Sequence, residues 1–391
     1  MSIPAELGDA EALFCDCPVP IGTDALRQLP GFITANTSST VGGAGRPIVV
    51  VTSGGTTVPL ERRCVRFIDN FSAGTRGALS TEQFIKAGYA VILLHRRGSV
   101  QPFTSHLPAS TVLDLVRCCL ELNSQSDPNL SPNFSSHSPP ADQDPSAPAP
   151  PSPASSSPAE AKHVRVVAAY QQVLADSLSA AAASDQTGVL LSIPFETIFD
   201  YLQCLRSVAL ALAPCGAQVL FYLAAAVSDF YLPWAELAEH KIQSSEGGLD
   251  LQLRKVPKML GLLTRQWCPA AMVVSFKLET DTHILVAKAA AALQTYGVHA
   301  VVANLLETRK DRVLLVTRAG SAWSGAGASV GTLSEITAAH GPPTQARQGC
   351  GSDVCILTIT RSPEHAVIEQ QVVEQVVAMH AMFKAEVSTL A

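Results

Sequence analysis

Four polar side chains stand apart from their surroundings: Asn70 between two glycine turns, Arg66 four residues before it, Asp229 behind a run of alanines, and Lys241 in a polar loop. An asparagine amide cannot serve as a base, but it can orient an acyl group and donate to an oxyanion. A carboxylate such as Asp229 accepts from hydroxyl or amide donors, and a lysine can stand beside developing phosphate charge. Arg66 suits either a phosphate or the bracing of its own loop. Around Asn70 run Ser53-Gly54-Gly55-Thr56 and Ser72-Ala73-Gly74-Thr75-Arg76-Gly77. Where such turns join a strand end to a helix start, unpaired amides and the helix dipole favour an anion. Each residue also has a plainer use: a turn asparagine, a helix-capping aspartate, a solvated lysine, glycines that serve chain geometry.

Those residues need a scaffold, and the pattern supplies one. Ile48-Val49-Val50-Val51 reads as a strand buried on both faces, followed by a helix over Ala78–Ala87 and a second strand over Tyr89–Leu94. Strands are further expected at His163–Ala168, Val219–Ala225, Met272–Phe276 and His299–Ala303, with helices at Ala169–Ala183, Pro194–Ala213, Pro257–Thr264, His283–Tyr296 and Glu364–Val387. Arg312–Val316 and Val354–Ile359 read as a hairpin. The alternation predicts an α/β, three-layer, Rossmann-like and mostly parallel sheet with helices on both faces. Leu249, Leu251 and Leu253 alternate outside it and suggest a small subsidiary β element, paired within the chain or with another subunit.

Domain organisation follows from composition shifts. Residues 1–45 form an amino-terminal extension, with a helical pattern at Ala5–Phe14. One α/β domain spans 46–123 and 161–391, interrupted at 124–160 by a segment in which 21 of 37 residues are Ser or Pro. That composition cannot build a packed core and predicts disorder. A Gly-, Ala- and Ser-rich stretch at 318–351 reads as a second loose insertion.

The 391 residues carry a net charge of −6, which gives no basic footprint for nucleic acid. No apolar run approaches the ~18 residues of a membrane span. Glu6, Asp9 and Glu11 argue against a secretory leader, and ten scattered cysteines fit reduced thiols in a cytoplasmic protein. Neither zinc spacing nor a Ser/His/Asp arrangement is visible.

The stretch S-G-G-T-x-V-P-L-E followed by V-R-F-I-D-N-F-S-A-G-x-R-G resembles the amino-terminal signature of the phosphopantothenoylcysteine synthetases in their eukaryotic form. Ala224-Ala225-Ala226-Val227-Ser228-Asp229-Phe230, His240-Lys241-Ile242-Gln243-Ser244, Ser275-Phe276-Lys277-Leu278-Glu279-Thr280 and Ala303-Asn304 continue the resemblance. It covers about residues 45–115, 163–317 and 353–387. The resemblance implies ATP-dependent ligation of 4′-phosphopantothenate with L-cysteine through an acyl-adenylate, a step of coenzyme A biosynthesis, with Mg²⁺ beside the triphosphate. Asn70 and Lys241 would be catalytic, Lys241 on a flap over the site. Gly54, Ser72, Gly74 and Gly77 would cradle phosphates, Phe276 would pack on the base and Asn304 would help hold it. Ala225, Ala226 and Asp229 would contact phosphopantothenate from the neighbouring subunit of a homodimer with shared sites, with Arg66 a further substrate-binding candidate through the substrate's phosphate. Bacterial relatives place basic residues in the helix after the Phe276–Thr280 motif. Here Lys288 is its only cation, which weakens a CTP reading.

Two rivals share the fold class. A nicotinamide-dependent reductase would need G-x-G-x-x-G and an acidic residue ~20 positions on, and both are missing. A non-catalytic regulatory subunit would have no use for Asn70, Asp229 and Lys241 together.

Overall fold

The computed structural model describes residues 10–11, 13–14, 19–38, 45–104, 168–243, 247–319, 329–331 and 354–390. The expected strand at His163–Ala168 apart from its last residue, most of the expected helix at Ala5–Phe14, the Ser/Pro-rich segment and most of the loop at 318–351 lie outside them.

Nine strands form one sheet: β1 (Ile48–Ser53), β4 (Ala90–Arg96), β5 (Leu190–Phe195), β6 (Val219–Leu223), β9 (Met272–Glu279), β10 (Ala300–Leu305), β11 (Arg312–Arg318), β12 (Ser329–Gly331) and β13 (Val354–Thr360). Their order is β12-β13-β11-β10-β9-β6-β1-β4-β5. The six from β10 to β5 are parallel, while β11, β13 and β12 extend the edge antiparallel. Alternate residues of each strand face opposite layers. Ile48, Val50, Val219 and Phe221 pack beneath α1 (Thr23–Thr37), α4 (Ile198–Leu212) and α6 (Thr282–Tyr296). Val49, Val51, Leu220 and Tyr222 pack beneath α2 (Thr75–Lys86) and α7 (Ile368–Leu390). Strands buried on both faces therefore read as continuous apolar runs, and the three-layer expectation holds.

The differences from the sequence reading have local causes. Within the amino-terminal extension, α1 was not singled out by the sequence reading, yet it packs on α4 and β5. Pro30 inside it blurs the helical pattern. Asn36 is buried there, its Nδ2 donating to the Phe32 and Gly188 carbonyls at 3.0 and 3.1 Å. Ala168, expected at a strand end, opens α3 (Ala168–Thr187) instead. Pro194, expected to begin a helix, sits in β5, an edge strand where a missing N–H is tolerated. The helix begins after Thr197, whose side chain accepts from the Asp200 amide in a capping box.

Leu249–Leu253 is not a strand. Leu249 and Leu251 are exposed, so the alternation has no buried face to enforce pairing. Only β8 (Arg254–Lys255) pairs, antiparallel with β7 (Phe230–Tyr231) of the same chain. A second small sheet joins β2 (Thr57–Pro59) to β3 (Phe67–Asp69). Ile198–Gln218, which contains α4, is the one described helical stretch long and apolar enough to cross a membrane, and more than half of its most apolar window is buried inside the fold.

Candidate active site

From β1 the chain continues to β4 on one side of it, and β6 returns on the other. Such a reversal opens a crevice at the carboxyl ends of the two strands, where ligands of open α/β sheets bind. Both small-residue motifs meet there. Ala226 N–H donates to the Gly54 carbonyl at 2.8 Å, and Thr56 N–H donates to the Ala226 carbonyl at 3.0 Å. Ala225 N–H donates to Thr52 Oγ1 at 3.0 Å and Ser228 N–H to Thr56 Oγ1 at 2.9 Å. These bonds consume the backbone amides of Ala225 and Ala226, which leaves them no free N–H to donate. Thr52, Thr56 and Ser228, which went unassigned in the sequence, are buried and act as the rivets.

The glycines are packed against the fold. Gly54 has φ +89° and Gly74, which caps α2, has φ +81°, conformations that favour glycine. A Cβ at Gly77 would stand 2.4 Å from Ser53 Oγ, and one at Gly55 would stand 1.6 Å from the Asn70 carbonyl oxygen. Gly54, Gly55, Gly74 and Gly77 are all buried, against the expectation that they would leave bare backbone open to a ligand. What faces outward is the loop between them: Phe71, 90% exposed, with Ala73, Thr75 and half-buried Ser72. The first turn of α2 adds amides that have no intrahelical acceptor.

Asn70 follows β3, half-buried, and its backbone amide donates to the Thr56 carbonyl at 3.2 Å. Its side-chain amide bonds to nothing among the described residues. Arg66 braces its surroundings: Nη1 donates to Glu61 Oε1 at 2.8 Å and to the Ile242 carbonyl at 3.0 Å. Lys241, the neighbour of Ile242, is exposed. Asp229 is exposed too, with Lys258 Nζ 3.4 Å from its Oδ1. Glu61 was quoted in the motif without a role. A lone carboxylate at the end of an apolar run, followed by arginines, was the available signal.

Farther along the same carboxyl edge, the Phe276 ring meets Tyr222 edge-on at 4.8 Å. The Arg76 guanidinium lies 6.0 Å from the Phe276 ring centre and 3.2 Å from Glu369 Oε1. Burial raises the Glu369 pKa, with the Arg76 charge opposing. Asn304 is 4% exposed. Its Nδ2 donates to the carbonyls of Val302 (3.0 Å) and Lys277 (3.5 Å). Two carbonyl neighbours fix the amide orientation, and the opposite atom, Oδ1, is buried without a partner. Lys288 is held by Glu279 at 2.8 Å.

Strand ends β1, β6, β9 and β10 are consecutive in the sheet, so the Asn70 loop, the alanines, Phe276 and Asn304 line one edge. A helix start, a side-chain amide without a partner among the described residues and an aromatic ring thus share the carboxyl edge of an α/β sheet, where such folds bind ligands. A family model described as DNA/pantothenate metabolism flavoprotein C-terminal domain matches residues 208–324. Phosphopantothenate–cysteine ligase 2 of Oryza sativa subsp. japonica is 45% identical over 314 residues, 80% of this chain and 85% of that one. The Homo sapiens phosphopantothenate–cysteine ligase is 41% identical over 286 residues, 73% and 81% of the two chains. A solved mutant of Cab2 in complex with phosphopantothenate-cysteine is 31% identical with a TM-score of 0.70, covering 97% of this chain and 99% of that one. The chain belongs to the phosphopantothenate–cysteine ligase family.

Proposed function

We propose that the chain ligates 4′-phosphopantothenate with L-cysteine at the expense of ATP, within coenzyme A biosynthesis. A carboxylate is a poor electrophile, so its oxygen must first become a leaving group. The pantothenate carboxylate attacks the α-phosphorus, forming an acyl-adenylate and releasing pyrophosphate. The cysteine amine then attacks the acyl carbon and AMP departs, the amine proton passing to solvent. Asn70 orients the acyl group and stabilises its oxyanion, and Lys241 neutralises charge at the transferring phosphorus. Ser72 and the α2 first turn, shaped by Gly54, Gly74 and Gly77, hold phosphates. Phe276 and Asn304 take the adenine. Ala225, Ala226 and Asp229 border phosphopantothenate, and Arg66 stands behind them.

The observation that supports this reading is the grouping of the Asn70 loop, the alanines, Phe276 and Asn304 at neighbouring strand ends, in a chain from this ligase family. Adenine rather than cytosine is supported by Lys288, which Glu279 occupies. An all-protein cage for Mg²⁺ does not fit: no group of three His, Cys, Asp or Glu converges among the described residues, and Asp69 is taken by Arg96 at 2.6 Å. The ion would enter as counter-ion of the triphosphate. Exposed Val65, Phe67, Ile68 and Phe71 beside the site favour a homodimer with shared sites, which light scattering would test. A cytoplasmic location accords with the metabolic family and is tested by cell fractionation.

The deciding assay supplies phosphopantothenate and cysteine with each nucleoside triphosphate in turn and follows pyrophosphate with AMP or CMP. AMP with pyrophosphate supports the reading. Neither product with any nucleotide overturns it.

A further inference from the structure

Glu61 is fully buried, and its carboxylate has three donors. Arg66 N–H reaches Oε2 at 2.9 Å, Arg66 Nη1 reaches Oε1 at 2.8 Å, and Ile242 N–H reaches Oε1 at 3.4 Å. Arg66 Nη1 also donates to the Ile242 carbonyl at 3.0 Å. Both polar groups of the residue that follows Lys241 are thus held, one by a carboxylate and the other by that carboxylate's own counter-ion. The same clasp continues upstream. Arg62 N–H donates to the Ala238 carbonyl at 2.8 Å, and the Arg62 guanidinium reaches the Trp234 and Ala235 carbonyls at 3.3 Å each. Arg63 meets Glu239 at 3.3 Å.

A buried carboxylate is costly unless its lone pairs are satisfied. A surface arginine on its own would not need one. Burial raises the Glu61 pKa, but the bonds from Arg66 and Ile242 and the Arg66 charge outweigh it, so the carboxyl sits below its ordinary value. The group is ionised at neutral pH, which keeps the bonds strong. Arg66 Nη1 is spent inside the chain, which ties the arginine to the 238–243 segment and leaves the rest of its guanidinium uncommitted by these bonds.

We infer that Glu61, acting through Arg66 and the Ile242 peptide, is a positioning residue that sets Lys241 for phosphoryl charge neutralisation. This rests on the ligase reading above. Lys241 has a long, flexible side chain, and its reach is defined only if its backbone is fixed. The pair Glu61–Arg66 fixes it from the β2–β3 connection, the same segment that presents Asn70. The carboxyl-activating and charge-neutralising groups would then move as one unit.

The test compares Glu61→Gln, Lys241→Gln and the double variant with the wild-type chain, reading pyrophosphate release and backbone amide exchange. Glu61→Gln keeps volume but loses the charge that holds Arg66. Its kcat should fall about 10- to 100-fold with KM for ATP little altered, and exchange should quicken at 238–243. On the Lys241→Gln background it should cost no more than about two-fold. A loss that multiplies fully in the double variant, or unchanged exchange at 238–243, overturns the inference. Should Glu61→Gln fail to fold, Arg66→Met removes the other half of the clasp, the bond to the Ile242 carbonyl, from a partly exposed site, with the same two expectations. If the wild-type chain released no pyrophosphate with any nucleotide, the ligase reading would fall, while the exchange result would still judge the clasp.

Discussion

The carbonyl oxygen of Asn70 lies 1.6 Å from where the Cβ of any larger residue at Gly55 would stand. The two turns are therefore in contact through backbone, and Asn70 takes its height above the sheet from Gly55. Gly55→Ala must push the Asn70 carbonyl away, because a backbone atom cannot rotate aside. It should destabilise the fold by about 1–3 kcal/mol and also depress turnover. Gly31→Ala is the control: nothing lies within 4 Å of that Cβ, and it sits in α1. It should stabilise by about 0.5–1 kcal/mol and leave turnover alone. Urea midpoints with steady-state rates decide it, and a Gly55→Ala chain with normal turnover would detach Asn70 from its support.

Asn70 itself is half-buried, and its side chain bonds to nothing among the described residues. Removing it should leave the fold intact. If the amide stabilises the acyl oxyanion, Asn70→Ala should lower kcat about 10²- to 10³-fold, with the melting temperature within a degree or two. Near-normal turnover would strip the residue of its role.

The sequence exposed the central strands because burial on both faces leaves a continuous apolar run, as in Ile48–Val51. It also exposed the site motifs, because a ligand edge needs small residues beside polar ones. What stayed hidden was set by contacts far along the chain. β5 carries Pro194, which speaks for a helix start until its place at the sheet edge is known. Leu249, Leu251 and Leu253 have a strand's alternation without a face to bury. The glycines were legible as special, yet not as packed: only the fold reveals that Ser53 and the Asn70 carbonyl occupy the missing side chains. Glu61 and Ile242 stand 181 residues apart, and no local pattern could join them.

Asn304 makes a further prediction about the base. Its Nδ2 is committed to two carbonyls, and the buried Oδ1 still needs a donor. An exocyclic amine supplies one; a carbonyl at the same position would set acceptor against acceptor and leave both unpaired. ITP, which differs from ATP at that group, should therefore show a kcat/KM lower by about 10-fold or more. Asn304→Ala should narrow the gap between the two nucleotides. Equal use of ATP and ITP by the wild-type chain would mean that Oδ1 does not read the base.

Acid should loosen the helical layer opposite α4 before it affects the site. His380 is fully buried between Tyr89 and the Ala217 carbonyl. Since Ala217 can only accept, Nε2 carries the proton and Nδ1 accepts from the Tyr89 hydroxyl at 2.8 Å. Burial pushes that hydroxyl up to about 12, so it stays a donor. Burial, with Lys384 and His299 adding to it and the Ala217 bond opposing, lowers His380 to about 4. His299, whose Nδ1 accepts from Val273 N–H at 3.0 Å, is likewise lowered to about 4 by burial and Arg318, with Glu386 opposing. Both imidazoles are neutral in the folded chain and free to protonate in the unfolded one, whose ordinary value is 6.5. Their contribution is thus complete above pH 6.5 and is lost as pH falls from there toward 4, where the folded histidines begin to protonate as well. Urea midpoints measured from pH 7 to 5, above the range in which most carboxylates titrate, should fall steadily. His380→Gln, which can still donate to Ala217, should show a shallower fall over that window. Parallel slopes for the two chains would mean that the imidazole is not the group binding the proton on unfolding.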